Sequence, residues 1–115
     1  MVHKKRPLTG CSPPGYTIAV IELRQTSEFA EWIDDLRDIR GRARIQARIE
    51  RLAMGNPGDT KSVGDGVCEL RIAFGPGYRV YFTRRGREIV ILLAGGDKSS
   101  QQKDIRTAQR LARGL

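Results

Sequence analysis

The chain has 115 residues with 21 Lys+Arg against 13 Asp+Glu, a formal net charge of +8 and a pI near 10.2, so it is a single, strongly basic domain. Apolar residues at 39% and charged residues at 30% exclude a disordered or collagen-like chain, and the longest apolar run, Ile89 to Ala94, is far short of the roughly 20 residues a membrane-spanning helix takes. One histidine (His3) and two cysteines (Cys11 and Cys68) exclude a Cys/His zinc site and a histidine-based triad, and no metal or cofactor is expected.

Residues 1–15 combine Lys4-Lys5-Arg6 with Pro7, Gly10, Pro13, Pro14 and Gly15 without periodicity, which predicts a flexible basic extension ahead of a domain spanning 16–115. Leu8-Thr9-Gly10-Cys11 superficially matches a lipoprotein cleavage site, but MVHKKRP lacks the apolar core of a signal peptide, and a cytoplasmic, reducing location is expected. Counting alone leaves a Cys11 to Cys68 disulfide open. Nothing in the spacing suggests one, and both thiols are expected to be free.

The β-branched run YTIAVIELR from Tyr16 to Arg24 predicts a strand. Thr26-Ser27 then supplies an N-cap, and Phe29, Trp32, Ile33 and Leu36 recur at helical spacing, which predicts an amphipathic helix over 28–38. After a break at Arg40-Gly41, a second helix is predicted to 54, with Ile45, Ile49 and Leu52 on one stripe, Arg44, Arg48 and Arg51 on the next, and Gly55 closing it. Residues 55–66, GNPGDTKSVGDG, read as a loop. Three strands follow at Val67 to Phe74, Tyr78 to Thr83 and Glu88 to Ala94, and a last helix starts at Ser99 or Ser100 with Ile105, Ala108, Leu111 and Ala112 in register. The expected architecture is α+β: an antiparallel sheet of about four strands, an N-terminal helical hairpin and a C-terminal helix, with the helices on one face.

If Gly75-Pro76-Gly77 joins Phe74 directly to Tyr78, Ala73 pairs with Arg79 and Arg71 with Tyr81. Alternation then turns Leu70, Ile72, Val80 and Phe82 onto the helices and Glu69, Arg71, Arg79, Tyr81 and Thr83 onto an open face, with Asp97 and Lys98 brought near by the following loop. A solvated sheet face is ordinarily polar. Arginines flanking an aromatic in a basic chain favour a polyanion with exposed bases, and so RNA. Residues 22–38 hold six acids against Arg24 and Arg37, whereas 40–115 hold 16 basic against seven acidic residues, which places the polyanion contact in the later part.

GVCELRI (66–72), GPGYRVYF (75–82) and LLAGGDKSSQ (92–101) with Asp104-Ile105 resemble the RelE/HigB-type toxins, the addiction module killer proteins. Phe29, Trp32, Leu36-Arg37-Asp38, Arg42 to Ile45 and Gly55 to Asp59 fit the same pattern, so the resemblance covers about Tyr16 to Ala112. It implies a RelE-like microbial ribonuclease fold, ribosome-dependent and metal-independent cleavage of mRNA, and neutralisation by a cognate antitoxin, for which a helix-turn-helix protein is one expected form. By motif position Arg79 matches the arginine on the scissile phosphate, Arg71 a basic residue of the neighbouring strand, and Lys98 the basic residue before the last helix. These three are the expected catalytic residues, and Tyr81, Asp97, Lys61, Arg44 and Arg48 are expected to contact RNA. The last helix lacks the tyrosine of the best-described members, and Tyr81 is the candidate substitute. The base is expected to be a lysine among other cations or Asp97, unless ribosomal alignment of the RNA makes one dispensable. The competing reading is a non-catalytic nucleic-acid-binding module or repressor subunit, supported by the charge alone. Arg79→Ala is expected to leave stability nearly unchanged, as is deletion of residues 1–14.

Overall fold

The computed structural model describes Cys11 and residues 21–115. The chain runs β1 (Glu22–Gln25), α1 (Ser27–Asp35), α2 (Ile39–Ala53), β2 (Thr60–Ser62), β3 (Val67–Ile72), β4 (Tyr78–Arg85), β5 (Ile89–Gly96), a 3-10 turn (Lys98–Ser100) and α3 (Gln101–Arg113). The sheet has five strands in the order β1-β5-β4-β3-β2. It is mixed rather than antiparallel, because β1 lies parallel to β5 while the other pairs are antiparallel. The fifth strand, β2, comes from the predicted loop: Thr60–Ser62 is too short for periodicity to reveal, and it is recruited by pairing with Cys68 to Leu70. Of the strand predicted over Tyr16 to Arg24, residues 16–20 lie outside the described residues.

The first helix begins as its cap signal requires, with the Thr26 hydroxyl accepting from Phe29 N at 3.0 Å. The break between the helices falls at Leu36 to Asp38 rather than at Arg40-Gly41. Asp38 caps α2 by accepting from Gly41 N at 3.0 Å, and its other oxygen accepts from the Tyr78 hydroxyl at 2.7 Å, tying the helical corner to β4. The backbone bond to Gly41 and the tyrosine bond hold the Asp38 carboxyl below its usual range, and burial, with Asp38 alongside, pushes the Tyr78 phenol up to about 12.

Helices cover both faces of the sheet, not one. Leu70, Ile72, Val80, Phe82, Val90 and Leu92 pack under α1 and α2 against Phe29, Ile33, Ile45, Ile49 and Leu52. Val67, Tyr81, Ile91, Leu93 and Ala94 pack on the opposite face against α3 through Ala108, Ile105, Leu111 and Ala112. The all-apolar run of β5 is the reason, since a strand apolar on both sides needs a cover on both sides. A bulge between the Tyr81/Ala94 and Phe82/Leu92 pairs lets the consecutive residues Leu93 and Ala94 both face α3.

On the α1 side, a helix approaches the sheet closely at Gly95. A Cβ there would overlap the six-membered ring of Trp32, which is itself held against Phe29 and Tyr78 with ring centroids 5.8 and 6.4 Å away. Gly95→Ala is therefore expected to cost about 1–3 kcal/mol by overpacking, read as a lower midpoint in thermal unfolding. An unchanged midpoint would show that Trp32 can yield without loss.

The predicted cysteine chemistry is overturned. Cys11 and Cys68 form a disulfide with their Cα atoms 5.8 Å apart, and among the described residues there is no free cysteine. The two positions are 57 residues apart in sequence, and spatial proximity at that separation leaves no trace in local spacing. The predicted flexible extension lies otherwise outside the described residues, but Cys11 within it is buried and its carbonyl accepts from Arg84 Nη2 at 2.6 Å.

Candidate functional site

The β3–β4 hairpin pairs Ile72 with Tyr78, Arg71 with Arg79 and Glu69 with Tyr81, two residues away from the predicted register. The connection is Ala73 to Gly77, with a turn closed by Gly77 N donating to Phe74 O at 3.1 Å and positive φ at Gly75 and Gly77. A slip of two residues keeps every side chain on its predicted face, whereas a slip of one would invert them all. Glu69, Arg71, Arg79, Tyr81 and Thr83 thus share a face as expected.

That face is not open along its length. Lys61, Glu69, Tyr81 and Ala94 form one row across β2, β3, β4 and β5, and Arg71, Arg79 and Gly96 form the next. The first row lies at the start of α3, whose residue Gln101 reaches down to donate to Glu69 Oε2 at 2.7 Å. Tyr81 is fully buried, and its hydroxyl donates to the same oxygen at 3.1 Å. Burial, then the adjacent Glu69 carboxylate, hold its phenol far above the ordinary tyrosine range. The predicted role of Tyr81 as an exposed stacking or acid-base residue is therefore corrected, because α3 covers the ring and the hydroxyl is a buried donor to Glu69.

Beyond the start of α3 the second row opens into a cleft of about 630 Å³, lined by Arg71, Arg79, Lys98 and Asp59 together with the Ala73 to Gly77 loop. Here the three predicted catalytic residues do converge. A Cβ built on Gly77 would lie 3.5 Å from both Arg79 Nη1 and Lys98 Cβ, which places the Arg79 guanidinium and the base of the Lys98 side chain beside the same point of the turn. Arg79 is held by its Nη1, which donates to Gly77 O at 3.2 Å, and Arg71 Nη2 donates to the exposed Asp59 carboxylate at 3.3 Å. Glycine at 96 leaves room for Ser100 and Asp104, whose side chains hydrogen-bond each other where a Cβ would stand. Burial raises the Asp104 carboxyl above its ordinary value, opposed by the Ser100 bond.

The predicted RNA-contacting residues divide. Arg44 sits on the cleft rim, its guanidinium 4.8 Å above the ring of Phe74, a cleft residue. Lys61 is exposed on the edge strand β2, in line with Glu69. Arg48 is a structural anchor rather than a free cation: it donates to Arg71 O at 2.6 Å and to Pro57 O and Asp59 O at 3.0 and 3.3 Å, stitching α2 to β3 and the loop before β2. Burial lowers its pKa below the ordinary arginine value. Asp97 caps the 3-10 turn, accepting from Ser99 N at 2.8 Å, and so shapes the segment that presents Lys98.

Sequence reasoning assigned no role to Glu69, which is fully buried beneath this cleft. Its Oε2 lies 3.7 Å from Arg79 Nε and its Oε1 4.0 Å from Arg71 Nε. The signal was present in Glu69-Leu70-Arg71: an acid on the face that otherwise collects arginines.

Fold and cleft together define a small basic α+β protein in which two arginines and a lysine line one cleft at the end of the sheet. Residues 31–113 match the phage-derived Gp49-like proteins (DUF891), and the chain belongs to that family, which lies in the addiction-module toxin group. An uncharacterised protein of Haemophilus influenzae is 52% identical over 95 residues, covering 83% of this chain and 96% of that protein. Among the described residues no helix is long and apolar enough to cross a membrane.

Proposed function

We propose that this protein is the toxin of a type II toxin–antitoxin module, a RelE/HigB-like endoribonuclease that cuts mRNA on the ribosome, in the cytoplasm, and is neutralised by its antitoxin. The observation that carries the reading is the convergence of Arg71, Arg79 and Lys98 on one cleft. RNA supplies its own nucleophile. The 2′-oxygen forms a bond to the adjacent phosphorus as the bond to the 5′-oxygen breaks, one proton leaving the 2′-hydroxyl and another reaching the departing oxygen. Negative charge accumulates on the phosphorane, where the two guanidiniums and the ammonium act, and fixed positioning of the phosphate removes most of the entropic barrier. The Arg44–Phe74 rim extends the positive surface toward a neighbouring nucleotide. An antitoxin segment that is acidic would be drawn to the same cleft, at a rate that falls with salt.

Expression without the antitoxin is expected to arrest growth, with primer extension revealing new mRNA ends in translated messages. The purified protein is expected to cut mRNA in a reconstituted translation system. Soluble protein that binds RNA yet leaves translated mRNA intact would sink the reading in favour of a non-catalytic binding module.

A further inference from the structure

Resting on the reading of the cleft as an RNA-cleaving site, we infer that Glu69 is a positioning residue, whose buried carboxylate orients the guanidiniums of Arg79 and Arg71 toward the scissile phosphate. A carboxylate with no exposed surface is costly to bury, and it persists only where fixed partners compensate it. Two of those partners come from outside the cleft: the Tyr81 hydroxyl and the Gln101 amide both donate to Oε2 and hold the carboxylate in place from the α3 side. On the cleft side it faces the Nε edges of both arginines, at 3.7 and 4.0 Å, and those two Nε atoms and Glu69 Oε1 are buried and make no hydrogen bond among the described residues.

The arrangement is an ion-pair hub. One negative charge lies between two guanidiniums and attracts each by its inner edge. The carbonyl of Gly77 holds Arg79 Nη1, and the Asp59 carboxylate holds Arg71 Nη2. With the inner edge drawn toward the carboxylate by charge and one terminal nitrogen hydrogen-bonded, each planar guanidinium loses rotational freedom about its long stem, and a donor pair is aimed before the substrate arrives. The carboxylate also lowers the mutual repulsion of two arginines that are directly opposite across β3 and β4.

The test is Glu69→Gln, which keeps the volume and an acceptor for Tyr81 but removes the charge. In ribosome-programmed mRNA cleavage it is expected to lower kcat about 10–100-fold, the usual effect of losing a supporting contact to a site residue, with KM nearly unchanged. In spectra of the free protein labelled at arginine, the Arg79 Nε–H signal is expected to move and to exchange faster with solvent. A folded Glu69→Gln protein with wild-type kcat, or with the Arg79 signal unmoved, would overturn the inference, as would a lower melting temperature with full activity below it. If Glu69→Gln does not fold, Tyr81→Phe, which removes one bond to the carboxylate, is expected to reduce kcat and move the Arg79 signal to a lesser degree. Failure of both effects would overturn it equally. Wild-type protein that cuts no mRNA would instead refute the functional reading, and the arginine spectra, recorded without RNA, would still decide whether Glu69 orients the pair.

Discussion

Replacing Arg79 by alanine is expected to reduce mRNA cleavage by roughly a hundred- to a thousandfold, the cost of about 3–4 kcal/mol that follows loss of one preorganised donor to a developing oxyanion. The structure also changes what the substitution does to the fold. From the sequence, Arg79 is an exposed sheet-face residue and its loss is harmless. In the structure its side chain is only 12% exposed and is the nearer of the two arginines to the Glu69 carboxylate, which is 1% exposed. Removing it leaves that charge with the more distant Arg71 and two neutral donors, so Arg79→Ala is expected to lower stability by about 2–3 kcal/mol as well. The two effects separate with two further variants. Arg79→Lys retains a charge over Glu69 and is expected to recover most of the stability, but not the planar fork, so cleavage stays low. Adding Glu69→Gln to Arg79→Ala removes the stranded charge and is expected to restore stability without activity. If Arg79→Lys cleaves at the wild-type rate, the arginine acts as a general positive charge and its geometry is irrelevant. Denaturant unfolding and single-turnover cleavage on ribosomes provide the two readings.

What could be read in advance follows the range of the interactions involved. Strand alternation and helix spacing are local, and they placed Arg71 and Arg79 on one face and Ile45, Ile49 and Leu52 in the core, as observed. The observed register differs from the expected one by two residues because the ladder ends at Ile72, and Ala73 and Phe74 belong to the turn. The position of α3 was the larger loss. The helix is legible from Ile105, Ala108 and Leu111, but which sheet face it covers depends on where the chain leaves β5, so local pattern does not show that Tyr81 is covered. The apolar run of β5 was the available clue. The strand β2 is a product of tertiary pairing with no periodic signature, and for the Glu69 hub alternation shows the shared face but not the burial that makes the acid its centre. Arg48 illustrates the same limit from the other side: it shares a helical stripe with Arg44, and only the folded chain brings it the carbonyls of Pro57 and Asp59 from the loop and of Arg71 from β3.

Cleaving the Cys11–Cys68 disulfide is expected to destabilise the protein by about 2–4 kcal/mol, and Cys11→Ser should reproduce that loss without reductant. The bond closes a loop over a sequence separation of 57, long enough that freeing it restores considerable conformational entropy to the unfolded chain. It also fixes a covering for the core: Cys11 is buried against the α1/α2 side of the sheet, and its carbonyl binds the Arg84 guanidinium, which lies 5.7 Å from the Phe82 ring. Deletion of residues 1–14 removes one half of this clasp, so the harmless truncation expected from composition becomes a destabilising one. Urea unfolding with and without reductant checks the effect. The wild-type midpoint should fall in reductant to that of Cys11→Ser, and the variant should be indifferent to it. Equal midpoints in both conditions, with the disulfide verified by mass, would show that the bond constrains nothing that folding uses. Catalysis should respond differently from stability. Cys68 pairs with Phe82, three residues along β3 from Arg71, and neither cysteine lines the cleft. At temperatures where both forms remain folded, reduction is therefore expected to lower stability while leaving the rate of the proposed mRNA cleavage unchanged.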